Sequence, residues 1–203
     1  MTEGNYLFAE RIIMDKRRLI VGVSGASGVQ LAQATLRELS THDDIEVHLV
    51  VSSGAKRTWE LECEDSYDDF LALADVVHDE KNMAASISSG SFMTEGMLIV
   101  PCSMKTLAAV AIGYDDNLIV RAADVCLKEG KKVVLVPREM PLGKTHLKNM
   151  LAVADLGAVL VPPMLTFYND PKTIDDMVRH VVGKALRQFG IEPKVFHAWS
   201  GVE

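Results

Sequence analysis

Cysteine is scarce. Cys63, Cys102 and Cys126 are scattered over 203 residues, and an odd, unclustered set offers neither a disulfide framework nor the spacing of a zinc site. Reduced thiols in the cytoplasm are expected. Positive charge is also short. Against 28 acidic residues stand 21 basic ones, a net charge of −7, which argues against bulk binding of nucleic acid or an anionic membrane and leaves only a local basic pocket. No apolar run reaches the ~18 residues of a membrane-spanning helix, and no signal-peptide pattern is visible. A GxSxG nucleophile elbow is missing, as is Walker A spacing. The acidic pairs Asp43–Asp44, Asp68–Asp69, Asp115–Asp116 and Asp175–Asp176 read as solvent-facing turns or helix starts, and none forms a D-D-x-x-D array for magnesium. The six histidines are dispersed without metal-ligand spacing, so no metal is expected.

What remains is an ordinary globular composition, 48% hydrophobic and 24% charged, enough for one sizeable core. No linker divides the chain. One domain is expected over residues 18–203, after an N-terminal extension, residues 1–17, in which Met14 offers an alternative start. Five Val/Ile-rich runs, RLIVGV, IEVHLVV, MLIVPC, KKVVLVP and AVLVPP, are nearly continuous rather than alternating, as strands buried on both faces are. Helical segments are expected at Val29–Leu39, Ala55–Glu62, Met104–Ile112, Leu118–Lys128, Thr145–Asp155 and Thr173–Phe189. The alternation predicts an α/β fold with a central parallel sheet covered on both sides.

In such sheets ligands bind beyond the carboxyl ends of the strands. The segments there are SGASG, SSGAK, PCSMKT, PREMP and PPMLTFY, which gather hydroxyls, small residues, two cations and an aromatic at one edge. GVSGASG lets backbone N–H groups approach an anion beside a helix start. It lacks the G-x-G-x-x-G spacing, and Ser52 stands where an acidic ribose partner would, so a ligand-free turn competes evenly with phosphate or flavin binding. In PCSMKT, Ser103 suits a helix cap, and Lys105 and Thr106 exceed what capping needs. AASISSGSFMTEG is a long small-polar loop, either functional or a surface connection. Arg121 and Lys128 lie two helical turns apart on one face, with Asp124 between them, and a solvated salt-bridge ladder is the simpler reading. Arg138 and Glu139 follow a buried strand between two prolines, where a planar guanidinium fork suits phosphate.

The ordered set SGASG, SSGSF, PCSMKTLA, RAADVCLKE, LVPREMPL, HLKNML, GAVLVPP and FYNDP resembles the UbiX-type flavin prenyltransferases, in the branch called the B subunit of hydroxyarylic (phenolic) acid decarboxylases. The resemblance runs from about Arg18 to Trp199. It implies a Rossmann-like flavoprotein, a three-layer sandwich that assembles into dodecamers. It implies transfer of a dimethylallyl group from dimethylallyl monophosphate to N5 and C6 of reduced FMN, without a metal, giving prenylated FMN for a UbiD-like decarboxylase. By the same resemblance Gly25, Ala26, Ser27, Ser52, Ser103, Met104, Lys105, Thr106 and Arg138 hold FMN. Ser89, Gly90, Arg121, Lys128, Arg138, Glu139, Tyr168, Lys184 and Trp199 face the prenyl donor, from more than one subunit. Ser27 and Glu62 handle a proton at the flavin, Glu139 is an acid for the departing phosphate, and Lys128 is catalytic. Two departures stand out: Lys184 replaces a common Arg, so the bidentate fork is lost, and GVQLAQ replaces a small-aromatic-glycine pattern. Two other readings compete. One is a flavin-binding accessory subunit of a decarboxylase. The other is a flavin-dependent cysteine decarboxylase, although PCSMKT lacks the Asn of the P-A-S-A-N-T segment found there.

Overall fold

The structure, a computed structural model, describes residues 16–194 together with 196 and 201. Six parallel strands form one sheet: β1 (Arg17–Val23), β2 (Ile45–Val51), β3 (Val76–His78), β4 (Gly96–Cys102), β5 (Lys132–Pro137) and β6 (Val159–Leu160). Their order across the sheet is β3-β2-β1-β4-β5-β6. The chain reverses its direction of winding between β1 and β4, and a crevice opens at such a switch point. The five apolar runs are therefore strands, and a sixth, the edge strand β3, joins them.

Seven helices cover the sheet: α1 (Val29–Leu39), α2 (Ser53–Glu62), α3 (Tyr67–Leu71), α4 (Met104–Ile112), α5 (Leu118–Lys128), α6 (Lys144–Asp155) and α7 (Ile174–Leu186). One core layer packs α1, α2, α3 and α7 against Leu19, Val21, Leu49 and Leu98. The other packs α4, α5 and α6 against Ile20, Val50, Met97 and Ile99. Strand side chains alternate between faces, so each strand feeds both layers and must be apolar throughout. This explains why the runs show no period of two.

Local chemistry sets the helix ends. Ser52, Ser66, Ser103, Asn117 and Thr173 each accept a backbone N–H in the first turn of α2, α3, α4, α5 and α7 respectively. Asp176 answers Thr173 in a capping box, which satisfies two otherwise free donors. α7 therefore starts after Thr173 rather than at it, and a 3-10 turn, Arg187–Phe189, ends the segment. The buried residues of α1, Val29, Leu31, Ala32, Thr35, Leu36 and Leu39, form one stripe, so the unusual GVQLAQ start still packs its apolar face inward.

Candidate functional site

The loop Ser24–Gly28 leaves β1 at the switch point. Ser24 is buried, and its hydroxyl donates to the Pro101 carbonyl (3.0 Å) and accepts from the Ser103 N–H (2.7 Å). It thus ties the end of β1 to the end of β4 and fixes where α4 begins. Gly25 lies against Gly54: an added Cβ would sit 3.0 Å from the Gly54 carbonyl carbon, so the pairing of two glycines sets the spacing between these loops. Gly28 has φ +96°, a left-handed backbone that side chains resist.

The Ser27–Gly28 peptide group is gripped at both ends. Glu62, at the end of α2, accepts from the Gly28 N–H (2.8 Å), while Arg138, just past β5, donates through Nε to the Ser27 carbonyl (3.2 Å). A carboxylate and a guanidinium therefore orient one peptide dipole, and both charged side chains stand beside the exposed Ser27. Arg138 is itself placed by its N–H, which donates to the Cys102 carbonyl (3.1 Å). Glu139 follows, its carboxylate accepting from the Met140 N–H (3.0 Å).

Ser52 caps α2 (Ala55 N–H, 3.1 Å) and donates its own N–H to Val23 O (2.9 Å). Ser103 caps α4 through the Thr106 N–H (3.2 Å) and donates its hydroxyl to Thr106 Oγ1 (3.1 Å). The Ser24–Ser103, Gly25–Gly54 and Ser27–Arg138 contacts bring the loops that carry Gly25, Ala26, Ser27, Ser52, Ser103, Met104, Thr106 and Arg138 together at one edge of the sheet, where α2 and α4 begin. The N-terminal N–H groups of α2 and α4 and the capping hydroxyls of Ser52 and Ser103 are groups that favour an anion. Lys105 lies in the first turn of α4, and its ammonium turns outward to Asp116 (3.5 Å).

The remaining candidates form two further groups. Arg121 on α5 donates to Ser88 O (3.2 Å), Asp115 (3.1 Å) and Asp124 (3.3 Å). The Asp124 pair is the ladder contact expected from spacing; the bond to Ser88 also brings the Ser89–Gly90 loop onto α5. Glu129 packs so closely on Gly90 that an added Cβ would meet its carboxylate at 2.3 Å. Lys128 is exposed at the end of α5. The other group is Tyr168 and Lys184, on the opposite face with α7. Tyr168 Oη lies 3.1 Å from Nε2 of His180. That histidine was not among the residues singled out in the sequence, since its partner is twelve positions away and nothing in the spacing marks it. Trp199 lies outside the described residues.

Two other features bear on the chemistry. A cavity of about 560 Å3 beyond β5 and β6 is walled by Pro137, Met140, Leu142, Met150, Met164 and Leu165, with Arg138 and Glu139 at its rim. The buried thiols are inert: burial pushes Cys102 up to about 12 and Cys126 to about 11, far from the thiolate a nucleophile needs. Among the described residues no group of three or more His, Cys, Asp or Glu side chains is arranged to hold a metal ion.

The flavoprotein family profile matches residues 9–186. A protein of Sedimentibacter hydroxybenzoicus named "Probable UbiX-like flavin prenyltransferase" is 55% identical over 186 residues, covering 92% of this chain and 98% of the relative. The chain belongs to the UbiX-like flavin prenyltransferase family. Its fold agrees with solved members. The dodecameric FMN-dependent UbiX-like decarboxylase from Escherichia coli O157:H7 superposes with a TM-score of 0.89 at 54% identity, over 91% of this chain and 100% of that one. The complex of AnUbiX (PadA1) with FMN and dimethylallyl pyrophosphate also superposes with a TM-score of 0.89, at 45% identity, over 93% and 100%.

Proposed function

We propose that this chain transfers the dimethylallyl group of dimethylallyl monophosphate to N5 and C6 of reduced FMN. The observation that carries the reading is the double grip on the Ser27–Gly28 peptide by Glu62 and Arg138. It brings a carboxylate and a guanidinium to one loop of a family member, which supports reading Glu62 as the proton handler and Arg138 as the phosphate holder.

Reduced FMN, when bound, supplies the nucleophilic ring. The chain's own residues then have separable tasks. Gly25 to Ser27, Ser52 and Ser103 to Thr106 line the flavin crevice with N–H groups and hydroxyls. Arg138 holds phosphate, and Glu62 and Ser27 stand where a proton is moved during ring closure. Glu139 protonates the departing phosphate. Arg121, Lys128 and Lys184 draw off its charge as the allylic C–O bond breaks, and Ser89, Gly90, Tyr168 and Trp199 complete the donor site. The apolar recess past β5 suits the hydrocarbon.

α5 and α7 cover opposite faces of the sheet, so Arg121 and Lys128 belong to one side and Lys184 to the other. The proposed donor site accordingly draws on neighbouring subunits of a homo-oligomer, a dodecamer as in the Escherichia coli relative. Exposed Met140, Met164, Leu165 and Phe167 give such neighbours an apolar surface to cover. The product passes to a UbiD-like decarboxylase in the cytoplasm.

Anaerobic incubation of the oligomer with reduced FMN and dimethylallyl monophosphate, followed by mass spectrometry of the released flavin, tests this. One added dimethylallyl unit is expected; unchanged FMN from a folded oligomer overturns it. Loss of partner activation in Glu139→Gln separates catalysis from an accessory role, in which activation would persist.

A further inference from the structure

His180 is 5% exposed on α7. One edge of its imidazole meets Tyr168: Nε2 is 3.1 Å from the phenol oxygen, and the rings stand edge to face at 5.5 Å and 82°. Its face stacks on Phe196 at 5.3 Å and 19°. Gly183 makes room for that ring, since a Cβ there would lie 2.3 Å from Phe196 Cδ2. One turn further along α7, Lys184 places its ammonium 5.7 Å above the same Phe196 ring. A buried imidazole therefore joins Tyr168, Phe196 and the Lys184 face of α7.

The proton inventory assigns the tautomer. Nδ1 is buried and has no hydrogen-bond partner among the described residues. Stranding an N–H is rarer in proteins than leaving an acceptor under-used, so the proton belongs on Nε2. That N–H then donates to the phenol oxygen, so the phenol O–H does not donate to the imidazole. The neutral form is favoured for the same reason: a second proton on Nδ1 would find no acceptor and would sit beside Lys184. Burial first, then Lys184, holds the imidazole below its ordinary value. The other charges that face this pocket are engaged with one another. Asp170 pairs with Lys172, Asp175 with Arg179, Arg187 (5.1 Å over the Phe196 ring) with Glu192, and Asp176 caps α7.

We propose that His180 is a positioning residue for prenyl transfer: its Nε2–H fixes Tyr168 against α7 so that the phenol donates to the phosphate of the donor. The proposal rests on the function proposed above, in which Tyr168 touches that phosphate. A hydrogen bond that removes the phenol's freedom before the donor arrives lowers the cost of orienting it.

The test compares His180→Leu, His180→Gln, Tyr168→Phe and the Leu/Phe double variant in the FMN-loaded oligomer. Gln places an amide N–H near the position of Nε2; Leu keeps bulk alone. In His180→Leu the KM for dimethylallyl monophosphate should rise about tenfold with the Kd of FMN unchanged, and Gln should recover most of the loss. Calorimetric titration of the oxidised holoprotein with the same donor, in which no turnover occurs, should show the same tenfold weakening. Adding His180→Leu to Tyr168→Phe should cost nothing more, because His180 acts on the donor only through the phenol. Donor affinity unchanged in His180→Leu, losses that multiply in the double variant, or a Gln variant as impaired as Leu each overturn the role. Mass spectrometry of the wild-type product separates the two failures. Prenylated flavin from wild type with an unaffected Leu variant removes His180 alone, whereas no prenylated flavin from wild type removes the activity.

Discussion

Ser24→Ala tests the architecture of the crevice without touching a residue assigned to chemistry. In wild type the buried hydroxyl bridges Pro101 O and the Ser103 N–H. After truncation the Pro101 carbonyl keeps a second donor, the Ser24 N–H at 3.2 Å. The Ser103 N–H keeps none of its bond and sits at the half-buried start of α4. A stranded buried donor costs about 1–3 kcal/mol, and partial exposure puts this one in the lower part, about 1–2 kcal/mol. A chain of this size loses about 2–4 °C of melting temperature per kcal/mol, so a drop of roughly 2–8 °C is expected. The damage falls at the junction that aims the α4 N-terminus into the crevice, so FMN affinity should fall as well, by up to roughly 5- to 30-fold if the whole cost appears in binding.

The assay is a thermal melt and an FMN fluorescence titration at one protein concentration, since an oligomer's melting depends on it. Thr35→Val is the control. Its buried hydroxyl donates to Leu31 O inside α1 (2.8 Å), so losing it should leave FMN binding alone. A Ser24→Ala protein that melts within about 1 °C of wild type and binds FMN unchanged would refute the bridge. Equal loss of FMN in Thr35→Val would refute its location.

Four further outcomes follow from the same geometry. Gly28→Ala forces a side chain into φ +96° at about 1–2 kcal/mol, and gel filtration should show FMN lost from a protein that still folds. Glu62→Gln keeps an acceptor for the Gly28 N–H but cannot take a proton, so FMN should stay bound while single-turnover prenylation slows about 100-fold or more; equal rates would remove Glu62 from proton transfer. Lys184→Arg restores a planar fork and should lower the KM for the donor several-fold in steady-state assays. Acid should destabilise the fold. Burial and then His48 hold His78 below its ordinary 6.5, and the hydrogen bond from His48, then Arg18, holds Glu46 below 4.5. Each group binds its proton more weakly when folded. Its contribution is therefore complete above the unfolded value and lost as pH falls through the folded one. Melting temperature should decline below about pH 6.5, less steeply in His78→Asn, and an identical slope in that variant would contradict the assignment.

Most of the scaffold was legible in the sequence because its punctuation is chemical. Gly28, Ser103 and Asn117 start α1, α4 and α5, and the observed bounds of these helices coincide with those read from spacing. The misses share a cause. β3 has three residues and α3 has five, too few for either periodicity to show. Their existence is decided by tertiary contacts instead: β3 by pairing with β2, α3 by Phe70 stacked on Trp59 at 4.3 Å. The site divides in the same way. Capping hydroxyls and post-strand loops could be read in one dimension. The Glu62 and Arg138 bonds to a single peptide span 34 and 111 residues, and no spacing rule reaches that far. The Ser24 bridge and the His180 contact were hidden for the same reason.

The cations explain why such a chain is built to assemble. A departing phosphate carries up to two negative charges, and each unit charge at 4 Å is worth about 4 kcal/mol at an effective dielectric near 20. Among the described residues Arg138 is the cation bonded to the Ser27 loop, and its Nε is already used on Ser27 O. Arg121 is shared between Asp115 and Asp124, which offset its charge, while Lys184 lies across the sheet over Phe196. A lone crevice thus suits retention of a flavin phosphate better than expulsion of a second one. In the proposed assembly Lys128, rather than the offset Arg121, would add positive charge to the crevice of a neighbouring copy, beside the apolar recess past β5. Excluding water there lowers the local dielectric and strengthens every cation at the leaving group. In the proposed reaction, burial of the apolar rim and stabilisation of the departing anion would be one event, which makes subunit contact a condition of the proposed chemistry.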